Sequence, residues 1–201
     1  KIYYNIDALH RAISKGVQIR FLYFNWALDF NRPDKIYREF RHNSEFYCVS
    51  PWALTWDNEN YYLIAYDASA PEGSRIRNYR VDRMSSVTVL GDARRGKAEF
   101  RQFDLPAYLR KHFNMFGGPE HQVTLRCTAD LESAMRDRFG RTPLFVPEED
   151  GAYFHFDVPV CVSPQFYGWV CGFGGKVEVT APAEVRQGLR EIAKTLAKLH
   201  K

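Results

Sequence analysis

At Lys15-Gly16 the apolar residues of this chain change their spacing, and that change limits what the chain can fold into more than any other feature. Before it, Ile2, Ile6, Leu9 and Ile13 recur at steps of four, three and four, the period of a helix with one apolar face. Asn5 and Asp7 supply a helix-start signal and Gly16 a stop, so a short linker helix is expected over 1–16. After it, Val17, Ile19, Phe21 and Tyr23 share one face of a period-two run while Arg20 and Phe24 share the other. That pattern suits a strand covered largely on both sides. Further strands are predicted at about 37–41 and 45–49 around Asn43-Ser44, at 60–67 after Asp57-Asn58-Glu59-Asn60, at 76–83 and at 86–90. Short strands with turn signals and almost no helix indicate a small β-barrel over 17–92.

The texture then changes. Asp92 to Lys97 reads as a charged connection, Asp104 caps a helix that has Pro106 in its first turn and runs to about Asn114, and Gly117-Gly118-Pro119 breaks the chain. Residues 93–119 are therefore expected to be a helical linker. Beyond it, Val123, Leu125 and Cys127 alternate as a strand, and Asp130 is placed as the cap of a helix carrying Leu131, Met135 and Phe139. Leu144–Val146 and Tyr153–Val160 flank the turn Glu149-Asp150-Gly151. A helix through Phe166, Trp169 and Val170 then leads to a strand at Val177–Val179. The order β-α-β-β-α-β predicts a ferredoxin-like α/β-sandwich over 120–201, which makes the whole chain α+β. A last helix after Pro182 carries Val185, Leu189, Ile192, Leu196 and Leu199 as a stripe that must cover its own sheet or another chain, which would make a dimer contact.

Enzyme signatures are missing from the sequence. There is no Gly-x-Ser-x-Gly elbow, no His-Glu-x-x-His, no phosphate-binding Gly-x-x-x-x-Gly-Lys loop and no calcium loop. Gly172-Phe173-Gly174-Gly175 lies between a helix and a strand, the reverse of the order a dinucleotide fingerprint requires. The six histidines show no metal-site spacing, and the four cysteines have no Cys-x-x-Cys and read as reduced, buried thiols of a cytoplasmic protein. No run approaches the length of a membrane span, and the start has no signal-peptide order. The expectation is a non-enzymatic protein with no cofactor and no membrane partner. The first residue is not Met, which suggests a piece whose N-terminal partner is missing.

Charge singles out one segment. Between Arg75 and Lys97 there are seven basic residues against two acidic ones, whereas the remainder is nearly balanced at 21 against 22. Arg75 to Met84 interleaves arginines with Tyr79 and apolar residues. On a strand that puts Arg77, Tyr79, Val81 and Arg83 on one face, with Arg80 and Asp82 on the other. Guanidinium forks beside a phenol ring suit phosphates and stacked bases, although a solvated strand with a local Arg80–Asp82 pair would look the same in sequence. Aromatic residues cluster at 46–66, and Tyr61-Tyr62 must point to opposite faces, so only one of them can be core in a one-layer sheet.

Three ordered motifs now converge. Val49-Ser50-Pro51-Trp52-Ala53-Leu54, Tyr61-Tyr62-Leu63-Ile64-Ala65-Tyr66-Asp67 and Arg77-Asn78-Tyr79-Arg80-Val81-Asp82-Arg83-Met84 together resemble the WYL domain, with Tyr61 standing where the family's name has Trp. Leu9–Ile13 and Ile19–Tyr23 are similar to that domain's helix and first strand. Phe166 through Val179 with Pro182 resembles the C-terminal extension called WCX. The resemblance implies an Sm-like barrel (SH3-like in its strand plan) that senses a ligand in a bacterial transcriptional regulator, and a WCX region that assists homodimerisation. It implies a nucleic-acid-like ligand, single-stranded or a nucleotide, while DNA would be bound by an N-terminal helix-turn-helix that this chain does not hold. Carried over by motif, Ser50, Tyr62, Arg77, Arg80 and Arg83 form the ligand face, Tyr23 is a further candidate, Asp82 orients an arginine, and Tyr61 keeps an aromatic core role. The alternative from the residues alone is a protein–protein interaction module that controls a partner without nucleic acid.

Overall fold

The computed structural model describes residues 2–32 and 34–201. Helix α1 (Ile2–Lys15) already runs at Ile2, so Asn5 is not its cap. Asn5 lies inside the helix, and its Nδ2 donates to the carbonyls of Val81 at 3.3 Å and Met84 at 3.0 Å. The apolar side of α1 buries Ala8, Leu9 and Ala12, and Gly16 closes it with its N–H on the Ile13 carbonyl.

The period-two run after Gly16 becomes β1 (Val17–Leu28), longer than the sequence suggested. Its first half pairs with β3 (Tyr47–Asp57) and β6 (Met84–Ala93), and its second half pairs with β2 (Ile36–Phe40) in a hairpin. Two register shifts in the β1–β6 ladder bend β1, which is how one strand serves two directions. The sheet continues from β3 to β4 (Asn60–Tyr66) and β5 (Ile76–Arg80), all antiparallel. It curls into the half-barrel of an Sm-like fold around Leu9, Ile19, Phe21, Val49, Leu63, Ala65 and Tyr79.

Two strand expectations are corrected here. β3 runs on through Pro51 to Asp57 because Pro51 borders a register shift, where its missing N–H need not break the ladder. The strand expected over 76–83 stops at Arg80, and Val81–Arg83 form a single 3-10 turn before β6 returns to β1. The connection after β6 also contains a short helix that the sequence reading did not include, α2 (Lys97–Arg101).

The described residues divide into two compact units between Phe103 and Asp104. The second begins with α3 (Leu105–Lys111), where the Asp104 carboxylate accepts from the Ala107 N–H at 2.9 Å. The helix ends at Lys111, short of Asn114, and the His112 ring occupies the Tyr108 carbonyl at 2.6 Å that another turn would have used. There follow β7 (Glu120–Thr128), α4 (Glu132–Phe139), β8 (Val146–Pro147), β9 (Tyr153–Cys161), α5 (Pro164–Cys171), β10 (Val177–Ala181) and α6 (Ala183–Leu199). The sheet order β10-β7-β9-β8, antiparallel throughout, is that of a ferredoxin-like sandwich. Its core gathers Val123, Leu125, Met135, Phe139, Phe156 and Phe166.

Asp130 does not cap α4 itself; it sits in a 3-10 turn ahead of the helix and holds Lys176 Nζ at 2.7 Å. The stripe of α6 covers the sheet only in its first half, where Val185 is buried and Leu189 half-buried, while Leu196 and Leu199 are exposed. Only two of the four thiols are buried, Cys127 and Cys161, because Cys48 and Cys171 fall on outward positions of their elements. Among the described residues no helix is long and apolar enough to cross a membrane.

Candidate ligand-binding face

β4 lies between β3 and β5, so its two faces meet different neighbours. Leu63 and Ala65 enter the barrel core; Tyr62, Ile64 and Tyr66 point the other way. On that outer face Tyr62, Ile64 and Tyr66 stand opposite Thr55, Ala53 and Ser50 of β3, and opposite Arg80, Asn78 and Ile76 of β5. The residues expected from sequence therefore separate into two groups, one at each end.

At the Tyr62 end, Arg80 donates from Nε to Asp82 Oδ1 at 3.0 Å, and from Nη2 to Asp82 Oδ2 at 2.9 Å and Asn60 Oδ1 at 2.7 Å. The Arg80 backbone N–H donates to the Tyr23 hydroxyl at 3.0 Å. Because residues three apart eclipse in a 3-10 turn, Arg83 comes round beside Arg80, and its Nε lies 3.5 Å from Asp82 Oδ2. That separation is an ion pair without hydrogen-bond geometry, and Arg83 Nε is buried with no hydrogen-bond partner among the described residues. Tyr23, Tyr62, Arg80 and Arg83 are thus brought together around Asp82, and Asn5 fixes the same turn through its two bonds to Val81 and Met84.

The strict alternation expected over 77–83 fails at Arg80. Tyr79 and Val81 are core, and Arg83 joins Arg80 instead of Arg77. Arg77 is exposed opposite Ala65, three residues or about 10 Å along the strand from Arg80. Ser50 belongs to the other end. It is 2% exposed, and its hydroxyl accepts the Arg95 N–H at 2.8 Å.

Burial also decides what the rings can do. Tyr62 is 5% exposed, so its ring is not an open stacking platform, and its hydroxyl is the part that can serve a ligand. Tyr61 is 37% exposed and meets Trp56 edge-on at 4.7 Å, which corrects the expected core role: both residues flank the β3–β4 turn, beyond the end of the barrel core. Burial raises the phenols of Tyr62 and Tyr23 above their ordinary value, and nearby Asp82 adds to both. Tyr79 is raised by burial and by Asp67, whose Oδ2 accepts its hydroxyl at 3.1 Å. All three act as neutral hydrogen-bonding groups. The bond to Asp82 holds Arg80 further on the charged side. Asp82 takes up only part of the two guanidiniums. The Nη1 edge of Arg80 is not used in these bonds, which leaves donors for a planar or tetrahedral anion.

The sequence reading missed the environment of Trp52. The register shift in β3 makes Trp52 the extra residue between Pro51 and Ala53. Its ring stacks on Phe100 of α2 with centroids 4.7 Å apart and planes 5° apart, and the Arg94 guanidinium sits 3.8 Å from its centroid. Basic residues at 94, 97 and 101 with Phe100 among them follow a helical spacing, a signal that was present in the sequence.

The WYL domain family matches residues 4–89, and the WCX domain family matches residues 119–197. No curated protein matches the chain. Among solved structures, the chain is similar to "Proteasome accessory factor B/C (PafBC) of Arthrobacter aurescens" at 24% identity, covering 94% of this chain and 26% of that one, with a TM-score of 0.39. It is also similar to a CRISPR Cas-related protein at 12% identity, covering 99% of this chain and 52% of that one, with a TM-score of 0.51. The chain thus spans about a quarter and about half of the lengths of these two proteins.

Proposed function

Because the chain belongs to the WYL-domain family and carries a WCX domain behind its barrel, we propose that it is the ligand-sensing portion of a bacterial transcriptional regulator. The ligand is a nucleic-acid-like anion, a short single strand or a nucleotide, held at the turn that carries Arg80 and Arg83. The observation that carries this reading is the pair of guanidiniums gathered by Asp82, whose side chains stay 33% and 24% exposed for Arg80 and Arg83. A phosphate oxygen accepts from the Nη groups that Asp82 and Asn60 leave unused, and the Tyr62 hydroxyl stands opposite on β4. Ser50 then serves by fixing the segment after the barrel, and Arg77 contributes long-range charge.

The same turn is tied to α1 through Asn5, so a ligand that shifts it biases the helix leading toward the regulator's DNA-binding half. Such coupling requires the ligand to prefer one arrangement of that helix, since equal affinity for both moves nothing. Homodimerisation through the WCX region and a cytoplasmic location complete the proposal. The role is binding and not catalysis.

The test is a titration of a fluorescently labelled oligothymidylate followed by anisotropy at low and moderate salt, with Arg80→Ala and Arg83→Ala alongside the wild type. Losing a desolvated arginine–phosphate contact is worth about 1–3 kcal/mol, which is roughly a fivefold to hundredfold loss of affinity. Binding that survives both substitutions, or that shows no dependence on salt, overturns the reading.

One observation favours a second reading. The β1–β2 hairpin exposes Trp26, Leu28, Phe30, Ile36 and Tyr37, Phe30 at 91%, a composition suited to a protein partner. Failure of every oligonucleotide to bind, with association in sedimentation that is lost on Phe30→Ser, would favour it.

A further inference from the structure

We propose that the groove between Trp52 and the segment Arg94–Arg101 is a second subsite for the same ligand, seating phosphates on Arg94, Lys97 and Arg101 with a nucleobase at the rim of the Trp52–Phe100 stack. It follows that the ligand is a single strand of several nucleotides and not a mononucleotide. This inference rests on the function proposed above and deepens it.

The groove has a volume of about 430 Å³ and is lined by Trp52, Arg94, Lys97, Phe100 and Arg101. That is room for a nucleotide, with three cations and no carboxylate in the lining; Phe100 and Arg94 cover the two faces of Trp52, so the rings offer a base their edges. From 94 to 101 the chain holds four basic residues and the single acid Glu99. Among the described residues, neither Lys97 nor Arg101 has a carboxylate within ion-pair distance, so their charge is available to a ligand. By contrast, Asp82 already partly neutralises the Arg80–Arg83 turn. An anion long enough to reach both places therefore adds a second set of charge contacts here.

The groove is held in place from several directions. Trp52 Nε1 donates to the Arg95 carbonyl at 2.9 Å, and the Arg95 N–H donates to Ser50 Oγ at 2.8 Å, so two residues of the Ser50-Pro51-Trp52 stretch hold the backbone of Arg95 on both sides. Arg94 stacks over Trp52 and reaches the Ile13 carbonyl at 3.4 Å. Next to it, Gly96 lies flat on the Tyr66 ring. The aromatic wall is therefore set before a ligand arrives, which lowers the ordering cost of binding.

Position links the groove to the first site. Trp52 packs on the outer face of the sheet, the face that carries Tyr62 and Arg80. Two to three residues along β4 and two strand spacings across give a separation of about 12 Å between Trp52 and Arg80. That is about three to four nucleotide steps at the rise of a stacked strand, and longer than one nucleotide. Stacking on aromatic rings with cations along the backbone is the sequence-tolerant mode by which single strands are held.

The test uses the full chain and oligothymidylates of two, four and six nucleotides, with tripolyphosphate as a base-free competitor. The variants are the surface pair Lys97→Ala/Arg101→Ala, Phe100→Ala and Arg80→Ala, each checked for folding by circular dichroism. The wild type should gain about tenfold or more in affinity from two to six nucleotides. The surface pair and Phe100→Ala should each remove most of that gain while leaving the two-nucleotide ligand within about twofold. A length dependence unchanged in both variants overturns the second subsite, and if Arg80→Ala still abolishes binding the earlier reading stands without it. Tripolyphosphate competing as well as the hexanucleotide overturns the base-contact part. No binding of any oligonucleotide to the wild type removes both readings.

Discussion

Replacing Gly96 by Ala tests whether the segment after the barrel is truly fitted to it. Gly96 has φ +87°, and an added Cβ would come within 2.5–2.7 Å of three atoms of the Tyr66 side chain, which is buried. Two costs follow. A left-handed conformation costs an alanine about 1–2 kcal/mol, offset by about 0.4–1 kcal/mol because the unfolded chain becomes stiffer. Forcing a methyl group onto a ring that is packed on its other sides adds about 1–3 kcal/mol. Gly73 supplies the control, with φ +80° and nothing within 4 Å of the Cβ position, so Gly73→Ala meets only the first cost. The expectation is a loss of about 0.5–1 kcal/mol for Gly73→Ala and about 2–4 kcal/mol for Gly96→Ala. Urea unfolding followed by tryptophan emission in a Trp169→Phe background reads the barrel through the tryptophans at 26, 52 and 56, and the midpoint shifts give the difference. With Tyr66→Ala in the background the extra cost of Gly96→Ala should vanish, as a double-mutant cycle would show. Equal midpoint shifts for the two alanines would refute the reasoning, because the ring contact would then be worth nothing.

Other outcomes are equally direct. Burial lowers the His112 pKa below its usual value, with Lys111 and Arg138 acting in the same direction. The unfolded chain therefore takes up the proton first; stability present above about pH 6.5 should fall as the pH drops below that value, and His112→Gln should flatten this part of the urea–pH profile. A thiol reagent at pH 8 should titrate Cys48 and Cys171 in the folded protein, and all four cysteines only in denaturant, because Cys127, pushed up to about 12 by burial, is both covered and protonated. Rapid modification of four thiols under native conditions would contradict the packing of the second sheet.

Much of the architecture could be read from periodicity. The change at Gly16, the β-α-β-β-α-β order and the first half of the α6 stripe each mark elements whose apolar face meets a sheet, and there sequence spacing and packing report the same thing. The errors fall where tertiary contacts override a local signal. Asn5 carries a capping residue's side chain but spends it on two carbonyls of a distant turn. Pro51 does not end its strand because a register shift absorbs it. The candidate site was half legible. The motif arginines were visible, yet their arrangement depended on one 3-10 turn that breaks a period-two count, and alternation alone put Arg83 with the wrong partner. The Trp52 groove needed two segments some forty residues apart, and single-segment patterns do not report such pairings.

The ladder that joins β1 to β6 has a consequence for how the protein is made. Val17 pairs with Ala93 and Tyr23 with Met84, so the half-barrel cannot complete itself until residue 93 has been synthesised. Closing a loop of that length costs about 4 kcal/mol in chain entropy before any of those contacts form, which places the barrel among slowly closing, high-contact-order topologies. Until then the strand Val17–Leu28, rich in aromatic and branched residues, waits with one edge unpaired. A nascent or truncated chain that stops before residue 93 therefore presents a template for edge-to-edge aggregation, and holding that strand apart until β6 emerges is work for a chaperone.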